Sequence, residues 1–141
     1  MSIQKITPFL WFNKDGQAAA EFYVSIFKNS RITNSNPMVT VFELEGLQLM
    51  IINGGPKFKL DEAFSLSIAC DTQEEIDYYW DKLTEGGAES RCGWLVDKYG
   101  VSWQVVPSMI GKLMSDPAKG QRVMALVLEM KKLDLNKMLE A

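Results

Sequence analysis

The residues able to do chemistry in this chain are few, and one type is missing. There is no histidine. That excludes a Ser-His-Asp triad, a Cys-His pair, a histidine general base and every histidine-bearing metal site. The two cysteines, Cys70 and Cys92, are too few for a four-cysteine zinc site, so a metal would need oxygen ligands, chiefly carboxylates. No base stands beside Cys92 to activate it, and it reads as a buried free thiol. Glu43 and Glu45 share one hairpin, but an i, i+2 pair on an edge reads as polar surface rather than an acid/base couple. Asp97, Lys98 and Tyr99 read as a solvated turn. Asn53-Gly54-Gly55-Pro56 either lends backbone N–H groups to an anion or simply ends a strand. Gln104, Ser65 and Ser67 offer neutral hydrogen-bonding groups. No catalytic constellation is visible, and whether the chain is an enzyme stays open.

Composition narrows the setting. With 141 residues the default is one domain with a real core. Eighteen acidic against fifteen basic residues, a net charge of −3, argue against a nucleic-acid binder. No apolar run approaches the roughly 18 residues that suggest a membrane span. Met1 to Thr7 does not read as a signal peptide, so the expectation is a cytoplasmic protein with reduced thiols.

The elements follow from periodicity. Ile6 to Phe12 reads as a buried strand, with Asp15 as N-cap of a helix over Gln17 to Phe27, whose Ala19, Phe22, Tyr23, Ile26 and Phe27 recur at helical spacing. A short strand near Arg31 to Thr33 precedes strands Val39–Glu45 and Leu47–Asn53, joined by an Glu45-Gly46 hairpin turn. Phe64 to Cys70 alternates large and small residues, as a half-covered strand does. Thr72 and Glu75 have capping-box spacing before Ile76, Tyr79, Trp80 and Leu83, and Gly86-Gly87 ends that helix. Cys92–Val96 and Val101–Val106 are strands around a turn. Helices follow over Met109–Met114 and Ala118–Met130, the second capped by Asp116-Pro117, with a last one from about Asp134.

This order repeats: strand, helix and strands, twice. Gly46 to Asn53 aligns position for position with Gly100 to Pro107, as an internal duplication would. The stretches Ile6-Thr7-Pro8-Phe9-Leu10-Trp11-Phe12, Glu21-Phe22-Tyr23 and Asn53-Gly54-Gly55-Pro56 carry a resemblance. So do Asp77-Tyr78-Tyr79-Trp80, Cys92-Gly93-Trp94-Leu95, Ser102-Trp103-Gln104-Val105-Val106-Pro107 and Gln121-Arg122-Val123-Met124. The chain resembles the PhnB-like, or 3-demethylubiquinone-9 3-methyltransferase domain, branch of the vicinal oxygen chelate superfamily, with glyoxalase I, bleomycin-resistance proteins and extradiol dioxygenases. One departure is the short Ser30–Pro37 stretch, where the family usually carries a longer glycine-rich excursion.

The resemblance implies an α+β fold of two βαβββ modules, open curved mixed sheets of glyoxalase type. The modules fall at about residues 1–56 and 63–107, and a helical extension over 108–141 packs on the same domain. It also implies a homodimer, with module pairing either within the chain or swapped between chains. Superfamily enzymes hold a divalent metal with His, Glu or Gln from the first and last strands of each half. Those positions fall here on Pro8, Met50, Ser65 (or Phe64 in the other register) and Gln104. This set offers an amide oxygen, a hydroxyl and a thioether, with no charge to repay dehydration of a dication, so no metal and no cofactor are expected. Strand alternation from Gln104 sets Leu10, Phe12, Met50, Ile52, Ser65, Ser67 and Gln104 on the concave face, with Trp94 as an aromatic wall, and Phe9, Trp11, Leu49, Ile51, Trp103 and Val105 under the helices. The expected partner is a small, partly apolar molecule, bound without metal. The alternative is the methyl transfer of the family's name, although no strand–Gly-x-Gly-x-Gly–helix stretch is present to cradle a nucleotide.

Overall fold

The structure, a computed structural model, describes residues 4–141. The described residues divide into two compact units, 4–60 and 61–141. The expected opening of the first strand at Ile6 is trimmed: β1 runs Phe9–Phe12. Then come α1 (Gly16–Ile26), β2 (Ser30–Ser35), β3 (Val39–Leu44) and β4 (Leu47–Asn53). The sheet order is β1-β4-β3-β2, with β1 parallel to β4 and the other pairs antiparallel. Glu45 and Gly46 turn the β3–β4 hairpin at φ 49° and 85°, the double left-handed geometry that matches strand twist. The stretch before Met38 is a tight hairpin in which Asn36 Oδ1 accepts from the N–H groups of Met38 and Val39, both at 2.9 Å.

Alternation on β3 is complete. Thr40, Phe42 and Leu44 are buried while Val39, Val41 and Glu43 are half-buried. The buried side lies under α1, whose Ala19, Ala20, Tyr23 and Ile26 are also buried; the Tyr23 ring stacks on Phe42 at 6.0 Å between centroids. Helix α1 does not begin as its sequence suggests. Asp15 makes no side-chain cap bond and sits at φ −102°, ψ 27°. Instead Asn53, at the end of β4, accepts from Gly16 N through Oδ1 at 2.9 Å. A Cβ on Gly16 would meet that oxygen and Ile51 Cγ2 at 2.8 Å, so the close approach requires glycine.

The second unit repeats the plan: β5 (Ser65–Cys70), α2 (Gln73–Thr84), β6 (Ala88–Glu89), β7 (Trp94–Val96) and β8 (Ser102–Pro107). Its order, β5-β8-β7-β6 with β5 parallel to β8, matches the first sheet strand for strand. Thr72 caps α2 as its spacing predicts, while the return bond from Glu75 reaches one residue further back, to Asp71 N. Thr72 Oγ1 accepts from Glu75 N at 3.2 Å, and Glu75 Oε1 accepts from Asp71 N at 2.9 Å. Ile76, Trp80 and Leu83 are buried, as are Leu95, Trp103 and Val105 of the sheet.

Asp97 corrects the reading of its turn. It is 3% exposed. Its Oδ1 accepts from Tyr99 N at 2.8 Å and Val101 N at 3.1 Å, and its Oδ2 from Trp103 Nε1 at 2.8 Å. A hairpin turn with a buried tryptophan two strand positions away recruits the carboxylate inward.

Three helices complete the unit: α3 (Ile110–Leu113), α4 (Pro117–Val127) and α5 (Leu135–Glu140). Asp116 caps α4 through Ala118 N at 3.1 Å and Asp134 caps α5 through Lys137 N at 3.1 Å. Leu113, Val123, Val127, Leu133 and Met138 form their common core. No helix among the described residues is long and apolar enough to cross a membrane.

Candidate functional site

Each sheet has one face under its helix and one that its helix leaves uncovered, and strand register decides which residues share it. In the second sheet, β5 and β8 pair Ser65 with Ser102, Ser67 with Gln104 and Ala69 with Val106. Parallel partners point to the same side. On the other flank of β8, Trp94 pairs with Gln104 and Val96 with Ser102. Ser65, Ser67, Trp94 and Gln104 therefore lie together on the face that α2 leaves uncovered. Gln104 Nε2 donates to Ser65 Oγ at 3.0 Å. Ser102 is buried, and its Oγ has no hydrogen-bond partner among the described residues. These side chains are neutral. They can offer hydrogen bonds and ring contact.

The first sheet is arranged differently from the sequence expectation. Leu10 pairs with Ile51 and Phe12 with Asn53, while Phe9 pairs with Met50 and Trp11 with Ile52. Leu10 and Phe12 are thus buried on the covered face with Ile51, and are not neighbours of Met50 and Ile52. Phe9 and Trp11, expected beneath the helix, occupy the uncovered face instead, together with Val39, Val41, Met50 and Ile52. A one-residue shift in register exchanges the two faces of a strand. The run Phe9-Leu10-Trp11-Phe12 is large and apolar throughout, so nothing in it marks which parity belongs inside.

Trp11 is fixed on that face. Its Nε1 donates to Gly55 O at 2.9 Å, and Phe58 meets its ring edge-on at 4.9 Å. A Cβ on Gly54 would lie 2.4 Å from the indole. The Asn53–Pro56 stretch therefore ends β4 and clamps Trp11, the strand-terminating reading of that motif. Phe9 is 53% and Phe58 57% exposed, and Lys57 Nζ lies 5.5 Å from the Phe58 ring centre. Phe58 is a functional candidate the sequence reading passed over; its signal was an aromatic directly after the Gly-Gly-Pro stop. The Glu43 carboxylate on this sheet is held by Arg31 at 3.2 Å, an exposed ion pair.

The same registers test the metal positions. Met50 and Gln104 occupy equivalent places in the two sheets, and their parallel partners are Phe9 and Ser67. The counterpart of Pro8 is then Leu66 rather than Ser65. Pro8, one residue before β1, has the parity of Leu10 and the covered face. What remains is a thioether in one sheet and, in the other, an amide already bonded to a serine hydroxyl. Among the described residues no group of three or more Cys, Asp or Glu side chains is gathered to hold a cation. This donor set does not fit a divalent metal, which needs charged or imidazole ligands to replace its water.

Cys70 offers no nucleophile. Cys70 is buried. Burial, then the charges of Glu75 and Asp71, push its thiol up to about 12. Cys92 is half-buried and packs against the core of the C-terminal helices.

Comparison with known proteins adds the family. Residues 4–106 match the family described as 3-demethylubiquinone-9 3-methyltransferase. A solved structure from Bacillus cereus, described as a putative 3-demethylubiquinone-9 3-methyltransferase, PhnB protein, is 35% identical; the match covers 73% of this chain and 99% of that one, with a TM-score of 0.67. A protein of Pseudomonas aeruginosa is 21% identical over 75% of this chain and 98% of that one, TM-score 0.61. The genomically encoded fosfomycin resistance protein of Listeria monocytogenes, solved with Mn(II) and sulfate ion, is 14% identical over 81% of this chain and 97% of that one, TM-score 0.61. The last two share the fold alone. No curated protein matches the chain.

Proposed function

Because the chain belongs to the 3-demethylubiquinone-9 3-methyltransferase domain family, with the glyoxalase-like fold, we propose that it is a metal-independent small-molecule-binding protein of that fold. The observation that carries the reading is the uncovered face of the second sheet. Where a metal ligand would stand, Gln104 instead donates to Ser65, beside Ser67 and Trp94. Neutral donors next to an indole suit a molecule with an apolar ring and one or two hydrogen-bonding groups. The ligand is accordingly neutral and partly apolar.

The test is elemental analysis of the purified chain, followed by thermal melting with Mn²⁺, Ni²⁺, Zn²⁺ and S-adenosylmethionine. The reading expects no stoichiometric metal and no shift with any of the four. A shift of several degrees with a metal would contradict it, since saturating ligand stabilises by mass action. A shift with S-adenosylmethionine would favour methyl transfer, the second reading, which rests on the family's description. A homodimer is part of the proposal; light scattering showing a strict monomer at micromolar concentration would remove it.

A further inference from the structure

Residues 107–141 lie outside the family match, yet they hold the strand that presents Trp94. Strand β7 is only three residues long, and its outer neighbour β6 only two. Its start is tied to β8 by Val105 N donating to Gly93 O and to its own turn by Ser90 N donating to Trp94 O and Trp94 N to Arg91 O. The segment between α4 and α5 adds a second hold from outside. Cys92 N donates to Met130 O and Gly93 N to Lys131 O, both at 2.8 Å. Gln73, the first residue of α2, grips the same segment. Its Nε2 donates to Leu133 O at 3.0 Å and its Oε1 accepts from Leu135 N at 2.8 Å. Lys132 Nζ pairs with Asp77 at 2.9 Å.

The backbone being held is unusual. Cys92 and Gly93 are consecutive left-handed residues, at φ 61° and 84°. A cysteine adopts that region only where its surroundings over-determine it. A Cβ on Gly93 would meet Val105 O at 3.0 Å and the Leu133 side chain at 3.1 Å. The Gly93 carbonyl is fixed in turn by Val105 N at 2.8 Å. Trp94, the next residue, leaves this pair to stand opposite Gln104. Cys92 and Val106, flanking Trp94 and Gln104 in the chain, both pack against the C-terminal core.

We propose that residues 130–135 are a strap that positions Trp94 against Gln104, so that ring recognition on this face depends on a segment beyond the family match. The inference rests on the binding reading above. Gln73 and the strap are positioning residues, because they touch the loop and not the bound molecule.

The test uses the full chain with Gln73→Leu and Gln73→Glu; the second keeps an acceptor for Leu135 N but sets a carboxylate against Leu133 O and the Asp77 carboxylate, both of which Gln73 Nε2 now bonds at 3.0 Å. Hydrogen exchange of the Cys92 and Gly93 amides should speed up about tenfold in Gln73→Leu, the scale of one or two lost hydrogen bonds, and should speed up in Gln73→Glu as well. Leu49 and Ile51 amides, in the other unit, should not change. The Trp94 indole N–H resonance, assigned with Trp94→Phe, should move. Affinity for 2-naphthol, an uncharged ring with one hydroxyl, should fall several-fold, and that fall should vanish in the Trp94→Phe background. Faster exchange with an unmoved indole resonance would overturn the strap. So would an equal loss of affinity in the Trp94→Phe background. Failure of 2-naphthol to bind the parent chain would instead count against the binding reading, while the indole resonance would still decide the strap.

Discussion

One carboxylate, Asp97, ties a hairpin turn to a buried tryptophan through three hydrogen bonds. Removing it takes one acceptor from three N–H groups, those of Val101 and Trp103 in buried bonds, and a lost buried bond is costly. Asp97→Ala should therefore lower stability by about 2–3 kcal/mol, read as a lower urea midpoint at unchanged slope. Asp97→Asn should recover only part of this, because an amide nitrogen placed toward Trp103 Nε1 opposes donor to donor. Cys70 makes a second prediction at this scale. Its thiol is raised by burial first, then by Glu75 and Asp71, from 9.0 to about 12. The folded state thus binds a proton that the unfolded state releases between those values. Stability is unaffected below pH 9 and falls as pH rises toward 12. Cys70→Ala should flatten that alkaline limb of the stability profile. At pH 8 iodoacetamide should label half-buried Cys92 and leave Cys70 unmodified in the folded chain.

Helix ends and strand faces set what the elements present. Helix α2 is capped by its own sequence, so Thr72→Ala should cost about 1 kcal/mol, measured by chemical denaturation. Helix α1 borrows its cap across the fold. Asn53→Ala should be the destabilising change, by about 1 kcal/mol, and Asp15→Ala should be close to neutral; the reverse ranking would show that Asp15 caps in solution. This difference marks how far the sequence is legible. Thr72-x-x-Glu75 is a local pattern, and Thr72 caps where spacing puts it. The cap on Gly16 comes from a residue far along the chain, and no local pattern announces it. The strand faces divide the same way. On β5 the alternation of Ser65, Ser67 and Ala69 with Leu66 and Ile68 declares its faces, and Ser65 and Ser67 lie with Gln104. On β1 four large apolar residues follow one another, so Leu10 and Phe12 were indistinguishable from Phe9 and Trp11 until pairing with β4 assigned them.

At the scale of the molecule, the duplication read from Gly46–Asn53 and Gly100–Pro107 appears as two four-stranded sheets of identical order, each with a parallel first-to-last pair. Equivalent strands have kept their backbone plan and changed their chemistry. Phe9 and Met50 in one sheet answer to Ser67 and Gln104 in the other. One sheet presents apolar and aromatic side chains and the other neutral hydrogen-bonding ones, and neither has a charged or imidazole side chain at these four positions. The central claim is thus that this member of the family binds without metal. The most direct measurement is paramagnetic broadening by Mn²⁺ of the Gln104 side-chain amide and the backbone amides of Ser65, Ser67 and Met50. The account predicts only weak, unsaturable broadening, the same as at exposed residues such as Lys59 and Glu62. Saturable broadening centred on Gln104, or on Met50, would contradict it.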